Sequence, residues 1–488
     1  MKLLKTSFST FFYLFLLISI VSCSKKGETP NDIQIQSFVW KGLNAFYLWQ
    51  DQVTDLSDTR FTNDQQLYSY LSETENPSDL FSNLLSYENE YPKNPNRNYS
   101  WITDDYIALE QSFQSIRLTT GMKLKGANYL DGSDNYYVYV YDVVKTSDAD
   151  INGVTRGMLI SEVNGTQITR TNVNSLLNSN SFTIHLADYN MGNPVSNGNT
   201  ISLTSSQVTE NPIKEVKVIN NGANKIGYLM YNQFSSSFDG ELNTAFAKFK
   251  NEAITHLIID LRYNGGGSVQ SAVYLGSMIT GQFNKELFSK QVWNSKFMKA
   301  ITPDKLENNF TDKILNKDSN GNIILDETIN SVGMNTVYFI VSENTASASE
   351  LVINALKPYI NVKLVGTQTY GKHVGSITLY DSDNFQRNGA NFKTNHTWAM
   401  QPIVLEIQNK LGENKPNGFI PEVLLEENSE NLGVIGDITE PLLEKAIEYI
   451  TVGSKGTNTS KKGFNTGSNH WNSSITNIDY NNMYINLN

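Results

Sequence analysis

The sequence predicts an α/β protein in which a mixed, largely parallel sheet with helices occupies residues 211–452. A helical segment (33–104) and a β-rich module (105–210) precede it. Three patterns carry this reading. From 212 to 450, short apolar runs alternate with amphipathic stretches, the pattern of strands and helices in a layered α/β core. From about 108 to 208 the runs are short and β-prone, with Asn164-Gly165 marking a hairpin turn. Between 33 and 90 the apolar residues Val39, Leu43, Phe46 and Leu48 fall on a helical face.

In order along the chain, Leu67 with Leu71 marks a second short helix, and Leu80, Phe81 and Leu84 a third. Trp40, Phe46, Tyr47 and Trp49 read as core residues. Residues 91–101 carry two prolines and read as a loop. In the β-rich module, 136–144 is a strand, 147–154 a short helical turn ending at Gly153, and 156–165 a strand and its turn. In the core, 226–231 is a strand and 240–252 an amphipathic helix with Leu242, Phe246 and Phe249 inward. A buried strand at 256–261 leads into a helix over 268–280, and strands follow at 337–341 and 362–365. The polar stretch 303–334 reads as an insertion. More than half of the residues after 450 are Gly, Ser, Thr or Asn, so 453–488 is expected to be a poorly ordered tail.

The 488 residues carry a net charge of −11, with no basic block beyond Lys25-Lys26 and Lys461-Lys462. This argues against nucleic acid as a partner. The N-terminus reads as a targeting segment: Lys2 and Lys5 precede an apolar stretch, 8–21, of export-signal length. It ends at Cys23, the only cysteine. Residues 1–22 thus resemble a bacterial lipoprotein signal, which implies lipidation of Cys23, a tether over 23–32 and a membrane anchor without a spanning helix. A plain secretory signal with an incidental cysteine is the other reading. With one cysteine the chain forms no internal disulfide.

Three separated pieces bear on chemistry. Asp260-Leu-Arg-Tyr-Asn-Gly-Gly-Gly-Ser268 closes a buried strand and opens a helix. Its glycines permit positive φ and close approach of backbone N–H groups to a ligand. The turn lacks the Lys-Ser/Thr ending of a phosphate loop and the glycine spacing of a dinucleotide site. The second piece is Thr345-Ala-Ser347-Ala348-Ser-Glu350, at the exit of the 337–341 strand. Ser347 with Glu350 three residues on reads by itself first as a capping box, although the same position suits a nucleophile at a helix mouth, where N–H groups face developing negative charge. The third is Gly371-Lys372-His373, whose lysine by itself reads as a solvated charge.

In this order and spacing the three pieces resemble the S41 family of serine peptidases, the carboxyl-terminal processing proteases. Gly227-Tyr228 with Gln233-Phe234, Gly418-Phe-Ile-Pro-Glu422 and Gly436-Asp437 add to the resemblance, which spans about 108–450. It implies a serine endopeptidase acting on polypeptides, with Ser347 as nucleophile and Lys372 as general base. It implies no metal and no cofactor. The oxyanion hole would combine the Ala348 N–H with a glycine N–H, Gly266 by alignment and Gly267 next. One such donor is worth ~3 kcal/mol of barrier. A serine hydroxyl needs an adjacent base, and burial favours the neutral amine a lysine base requires. Many family members have glutamine four residues after the lysine; here the position is Ser376, whose hydroxyl is expected to help orient the amine.

The stretch around Arg156-Gly157-Met158 resembles a PDZ domain of bacterial proteases, with Met158 where an acidic residue is usual. That places Gly121, Met122, Lys123 and Leu124 on a strand edge that binds extended peptides or their C-termini. An ordinary β-rich spacer is the alternative. Two further readings use the same catalytic residues: a peptide-binding scaffold with impaired catalysis, and an ester hydrolase. A variant based on His373 is also open.

Overall fold

The computed structural model describes residues 29–90, 98–452, 471–473 and 481–485. The expected signal segment, Cys23, most of the expected tether and His470 lie outside them.

The central sheet has six strands in the order Ile213–Asn221, Asn224–Tyr231, His256–Asp260, Thr336–Val341, Asn361–Gly366 and Val423–Leu424. Its first pairing is antiparallel and the others are parallel. Side chains alternate between faces along each strand. Leu229, Tyr231, Leu257, Ile259 and Phe339 pack with the helices Asp239–Asn251, Val269–Thr280 and Ala348–Leu356. Tyr228, Met230, Ile258, Tyr338 and Ile340 pack on the other face against the helix Pro441–Val452. Burial on both faces explains the unbroken apolar runs read from the sequence.

A buried ion cluster locks that last helix to the sheet. Arg262 donates to both oxygens of Asp260 and both of Glu440 at 2.7–3.0 Å, with all three side chains inaccessible to water. The Asp-Leu-Arg of the glycine-turn motif is therefore structural in its charges. A second, mixed six-stranded sheet adjoins the first, and its second strand is Met483–Tyr484, from the segment expected to be loose.

The β-rich module is a sheet of Met122–Asn128, Tyr136–Val143, Leu159–Val163, Ser181–Asp188 and Val195–Thr204, in that order, around its own core. Asn164 (φ 51°) and Gly165 (φ 73°) form the expected hairpin turn. The N-terminal helices Gln34–Phe46, Asp64–Leu71 and Pro77–Asn83 share one continuous core with the central sheet and its helices. Phe46 and Tyr47 are buried as expected, while Trp40 and Trp49 pack only partly against that core.

The 303–334 stretch contributes a hairpin, Lys313–Lys317 with Ile323–Thr328, clamped to neighbouring helices through Tyr274 and Asn243. Among the described residues, no helix is long and apolar enough to cross a membrane.

Candidate active site

The chain enters the site from two parallel strands whose C-terminal ends lie side by side, His256–Asp260 and Thr336–Val341. After the first strand comes the glycine turn. Asn264 holds it in shape: its amide donates to Tyr231 O (2.8 Å) and its Oδ1 accepts the Gly266 N–H (2.9 Å). Phe234 pins the far side, its N–H bonded to Gly266 O and its carbonyl to the Ser268 N–H, each 2.8 Å. Gly266 (φ 114°) and Gly267 (φ 133°) both adopt positive φ. A Cβ on Gly266 would sit 2.6 Å from Ser347 Cβ and 3.0 Å from Ala348 N; one on Gly267 would sit 2.1 Å from Phe234 O. Only glycine fits either position.

After the second strand comes Ser347. It too has positive φ (59°, with ψ −117°), a conformation that costs a non-glycine residue about 1–3 kcal/mol. A sharp strand-to-helix turn that projects a serine hydroxyl is the geometry of a nucleophile elbow. The neighbouring loops hold the strain: Thr345 Oγ1 donates to Leu261 O, and Ser349 Oγ and the Ala346 N–H both bond Asn264 O. Ser347 is 1% exposed.

The capping box read from the sequence is present, with the Ser347 N–H bonded to Glu350 Oε2 at 3.1 Å. Glu350 does more than cap. It also accepts the Lys372 N–H (2.8 Å), the Gly371 N–H (2.7 Å) and the Thr369 hydroxyl (2.5 Å). One buried carboxylate thus ties the turn bearing Ser347 to the segment bearing Lys372. Burial pushes this carboxyl up to about 7, its four donors offsetting part of the rise.

Lys372 is 3% exposed. Its Nζ lies 5.1 Å from the ring centroid of Tyr99, within cation–π range. Tyr99 comes from the segment after the N-terminal helices and is held by buried Glu90, which accepts the Tyr99 and Ser100 N–H groups and the Ser100 hydroxyl. His373 turns away, its Nε2 3.9 Å from Glu406 Oε1.

The other expected residues are placed as follows. Ala348 opens the helix beside Gly266. The Gly266 N–H is engaged by Asn264, whereas the Gly267 N–H donates outward, to Asn482 O at 2.6 Å. The outward donor is therefore the second of the two glycines named from the sequence. Ser376 Oγ lies 3.1 Å from Asn482 Oδ1 and 3.2 Å from Met483 O, so these tail atoms, rather than the lysine, are the acceptors at its hydroxyl.

Met122, Lys123 and Leu124 lie on the edge strand of the β-rich sheet, and Gly121 in the turn before it, its N–H on Thr119 Oγ1. Lys123 pairs with Glu210 at 2.5 Å. The edge is occupied: Leu124 N–H donates to Ser473 Oγ and Gly126 N–H to Trp471 O. The expectation of a loose tail over 453–488 thus fails at 471–473 and 481–485, because strand edges with unpaired N–H groups capture them.

The β-rich module also grips the central α/β layer. Arg156 donates to Tyr263 Oη (2.7 Å), Glu427 Oε1 (2.8 Å), Leu432 O (2.9 Å) and Tyr141 O. Tyr263 stands immediately before Asn264 and the glycine turn. Burial alone would raise the Glu427 carboxyl, but Arg156, Lys125 and Arg262 pull it down to about 2. Lys125 reaches Glu343, on the loop before Ser347, at 3.1 Å. Among the described residues, no cluster of His, Cys, Asp and Glu could hold a metal.

Residues 225–399 match the model of peptidase family S41, and residues 34–101 that of the peptidase S41 N-terminal domain. Among curated proteins, the chain is 25% identical over 259 residues to "Carboxyl-terminal-processing peptidase 1, chloroplastic" of Arabidopsis thaliana, covering 52% of this chain and 47% of that one. It is 30% identical over 158 residues to a "Probable CtpA-like serine protease" of Staphylococcus epidermidis, covering 32% and 27%. The matches thus span about half or less of these relatives. Among solved structures, the fold is shared with a "Putative S41 protease" from Bacteroides fragilis: TM-score 0.64, 22% identity, 88% of this chain and all of that one.

Proposed function

For a chain that belongs to peptidase family S41, we propose the activity of a serine endopeptidase that cleaves extended polypeptides with a Ser347–Lys372 dyad. The observation that carries it is the convergence on one buried carboxylate, Glu350, of the strained Ser347 turn and the Lys372 segment.

Each step has a residue. Ser347 Oγ attacks the scissile carbonyl carbon and gives its proton to the neutral Lys372 amine. The Ala348 and Gly267 N–H groups receive the oxyanion. Collapse breaks the C–N bond, and Lys372 returns the proton to the leaving amine. Water, deprotonated by Lys372, then attacks the acyl carbon; the bond to Ser347 Oγ breaks and Lys372 returns the proton to Oγ. Tyr99 packs over the lysine and Glu350 fixes its backbone, the task first expected of Ser376. The β-rich module, PDZ-like in this reading, presents an edge for an extended peptide and couples it to the glycine turn through Arg156. The N-terminal sequence supports export and a lipid anchor at Cys23 in the cell envelope.

Casein turnover tests the reading. Ser347→Ala and Lys372→Ala are each expected to lower kcat by at least about a thousandfold, given the scale of nucleophile and base deletions. Retained turnover in either variant refutes the dyad. A chain that hydrolyses small esters but not casein, through the same residues, is an esterase.

A further inference from the structure

Two described stretches of the polar segment behave as bound peptide. Trp471–Ser473 lies along the free edge of Met122–Asn128. Gly126 N–H donates to Trp471 O at 2.7 Å, Lys125 and Asn472 form an antiparallel bridge, and Leu124 N–H meets Ser473 Oγ at 2.9 Å. Trp471 packs against the module's core, with its Nε1–H on Asn174 Oδ1 at 2.7 Å. This is β-strand addition in which backbone pairing is joined by side-chain bonds of Trp471, Asn472 and Ser473.

The second stretch lies in the catalytic cleft. Met483–Tyr484 pairs in parallel with Gly267–Ser268 on one side, and Tyr484 with Ser376 on the other. Asn482 O takes the Gly267 N–H. Ser347 Oγ donates to Asn481 O at 2.9 Å. A hydroxyl has one proton to give, so in this state the nucleophile's proton goes to the tail and not to a base. Met483 is fully buried, and Tyr484 stacks on Phe113 with centroids 4.2 Å apart. The Gly267 N–H and the Ser347 hydroxyl are both engaged by this stretch, in a register where Ser347 is not activated.

We propose that the described stretches 471–473 and 481–485 act as a built-in pseudosubstrate: the first held on the module's edge strand and the second in the catalytic cleft, each as a polypeptide substrate is held, and displaced when substrate enters. The inference rests on the reading of Ser347 as nucleophile. It also specifies the ligand class: an extended polypeptide that runs in the direction of 481–485 and places a flexible apolar side chain, then an aromatic one, where Met483 and Tyr484 lie.

Met483→Asp tests it, because a carboxylate does not enter a fully buried apolar site unpaired. Because Met483–Tyr484 is paired on both sides, the variant's fold is checked by circular dichroism and by a cooperative melting transition. A fluorescein-labelled peptide of sequence 471–485 is titrated by anisotropy into wild type and variant. A tethered occupant acts at roughly millimolar effective concentration, so the variant is expected to bind at least about tenfold more tightly. Equal binding, or no binding to the variant, overturns the proposal whether or not the protein is a peptidase. In parallel, the variant is expected to turn over casein faster than wild type and to be inhibited by the peptide through KM, with kcat unchanged. If the peptide binds as expected but neither protein cleaves casein or esters, the Ser347 reading fails while the occupancy of the cleft stands.

Discussion

Glu350→Gln separates the two roles of the carboxylate at the centre of the site. The side chain accepts four donors, three of them backbone N–H groups on either side of the nucleophile and base. Glutamine keeps the shape but turns one acceptor oxygen into a donor facing donors. Burial raises the wild-type carboxyl from its ordinary 4.5 to about 7. A carboxyl raised on folding adds stability that is fully present below its unfolded value and is lost as pH rises through its folded value. Glu350 therefore favours the fold below pH 4.5 and gives up that advantage by about pH 7, a swing of about 3 kcal/mol.

Glutamine does not titrate, so the stability gap between wild type and Glu350→Gln should narrow by about 3 kcal/mol in favour of the variant between pH 4.5 and 7. Asp239, also pushed up to about 7 by burial, titrates in both proteins and cancels. The assay is urea unfolding across this range in a Ser347→Ala background, which prevents self-digestion and leaves the Ser347 N–H in place. In the active background, kcat should fall at least about a hundredfold, the scale of a misplaced catalytic group, with KM little changed. Parallel pH–stability curves, or a variant with wild-type kcat, would refute the assignment.

Three further outcomes follow from single contacts. Arg262→Met leaves Asp260 and Glu440 buried without their cation, and should destabilise the protein by about 3–5 kcal/mol in denaturant unfolding. Tyr99→Ala removes the ring over Lys372 and should lower kcat for casein by roughly ten- to a hundredfold, while Tyr99→Phe, which keeps the ring, should stay near wild type. Gly267→Ala drives a Cβ into Phe234 O and moves the outward N–H donor, so kcat should fall by roughly 10²–10³, seen as slow casein turnover by a chain with normal circular dichroism.

The elements legible in the sequence are those whose signal is local. Strands buried on both faces, such as 256–260 and 336–341, are unbroken β-branched and apolar runs, and the glycine turn and capping box lie within a few residues of each other. What escaped depends on distance. Tyr99 sits in a polar, proline-containing stretch, 273 residues before the lysine it covers, and nothing in its neighbours marks it. Glu350 was read as a cap, but its bonds to Gly371 and Lys372 exist only once two strands are adjacent. The residues after 450 are polar enough to read as loose. The stretches 471–473 and 481–485 are ordered by pairing to strand edges, a property of their neighbours as much as of their own composition.

Peptide mapping after fluorophosphonate treatment tests the central claim most directly, carried out on the Met483→Asp chain so that the cleft is open. A Ser347–Lys372 dyad gives a single covalent adduct, on the peptide that contains Ser347, formed far more slowly when Lys372 is replaced by alanine. An unmodified Ser347, an adduct on another residue, or a labelling rate indifferent to Lys372 would contradict it.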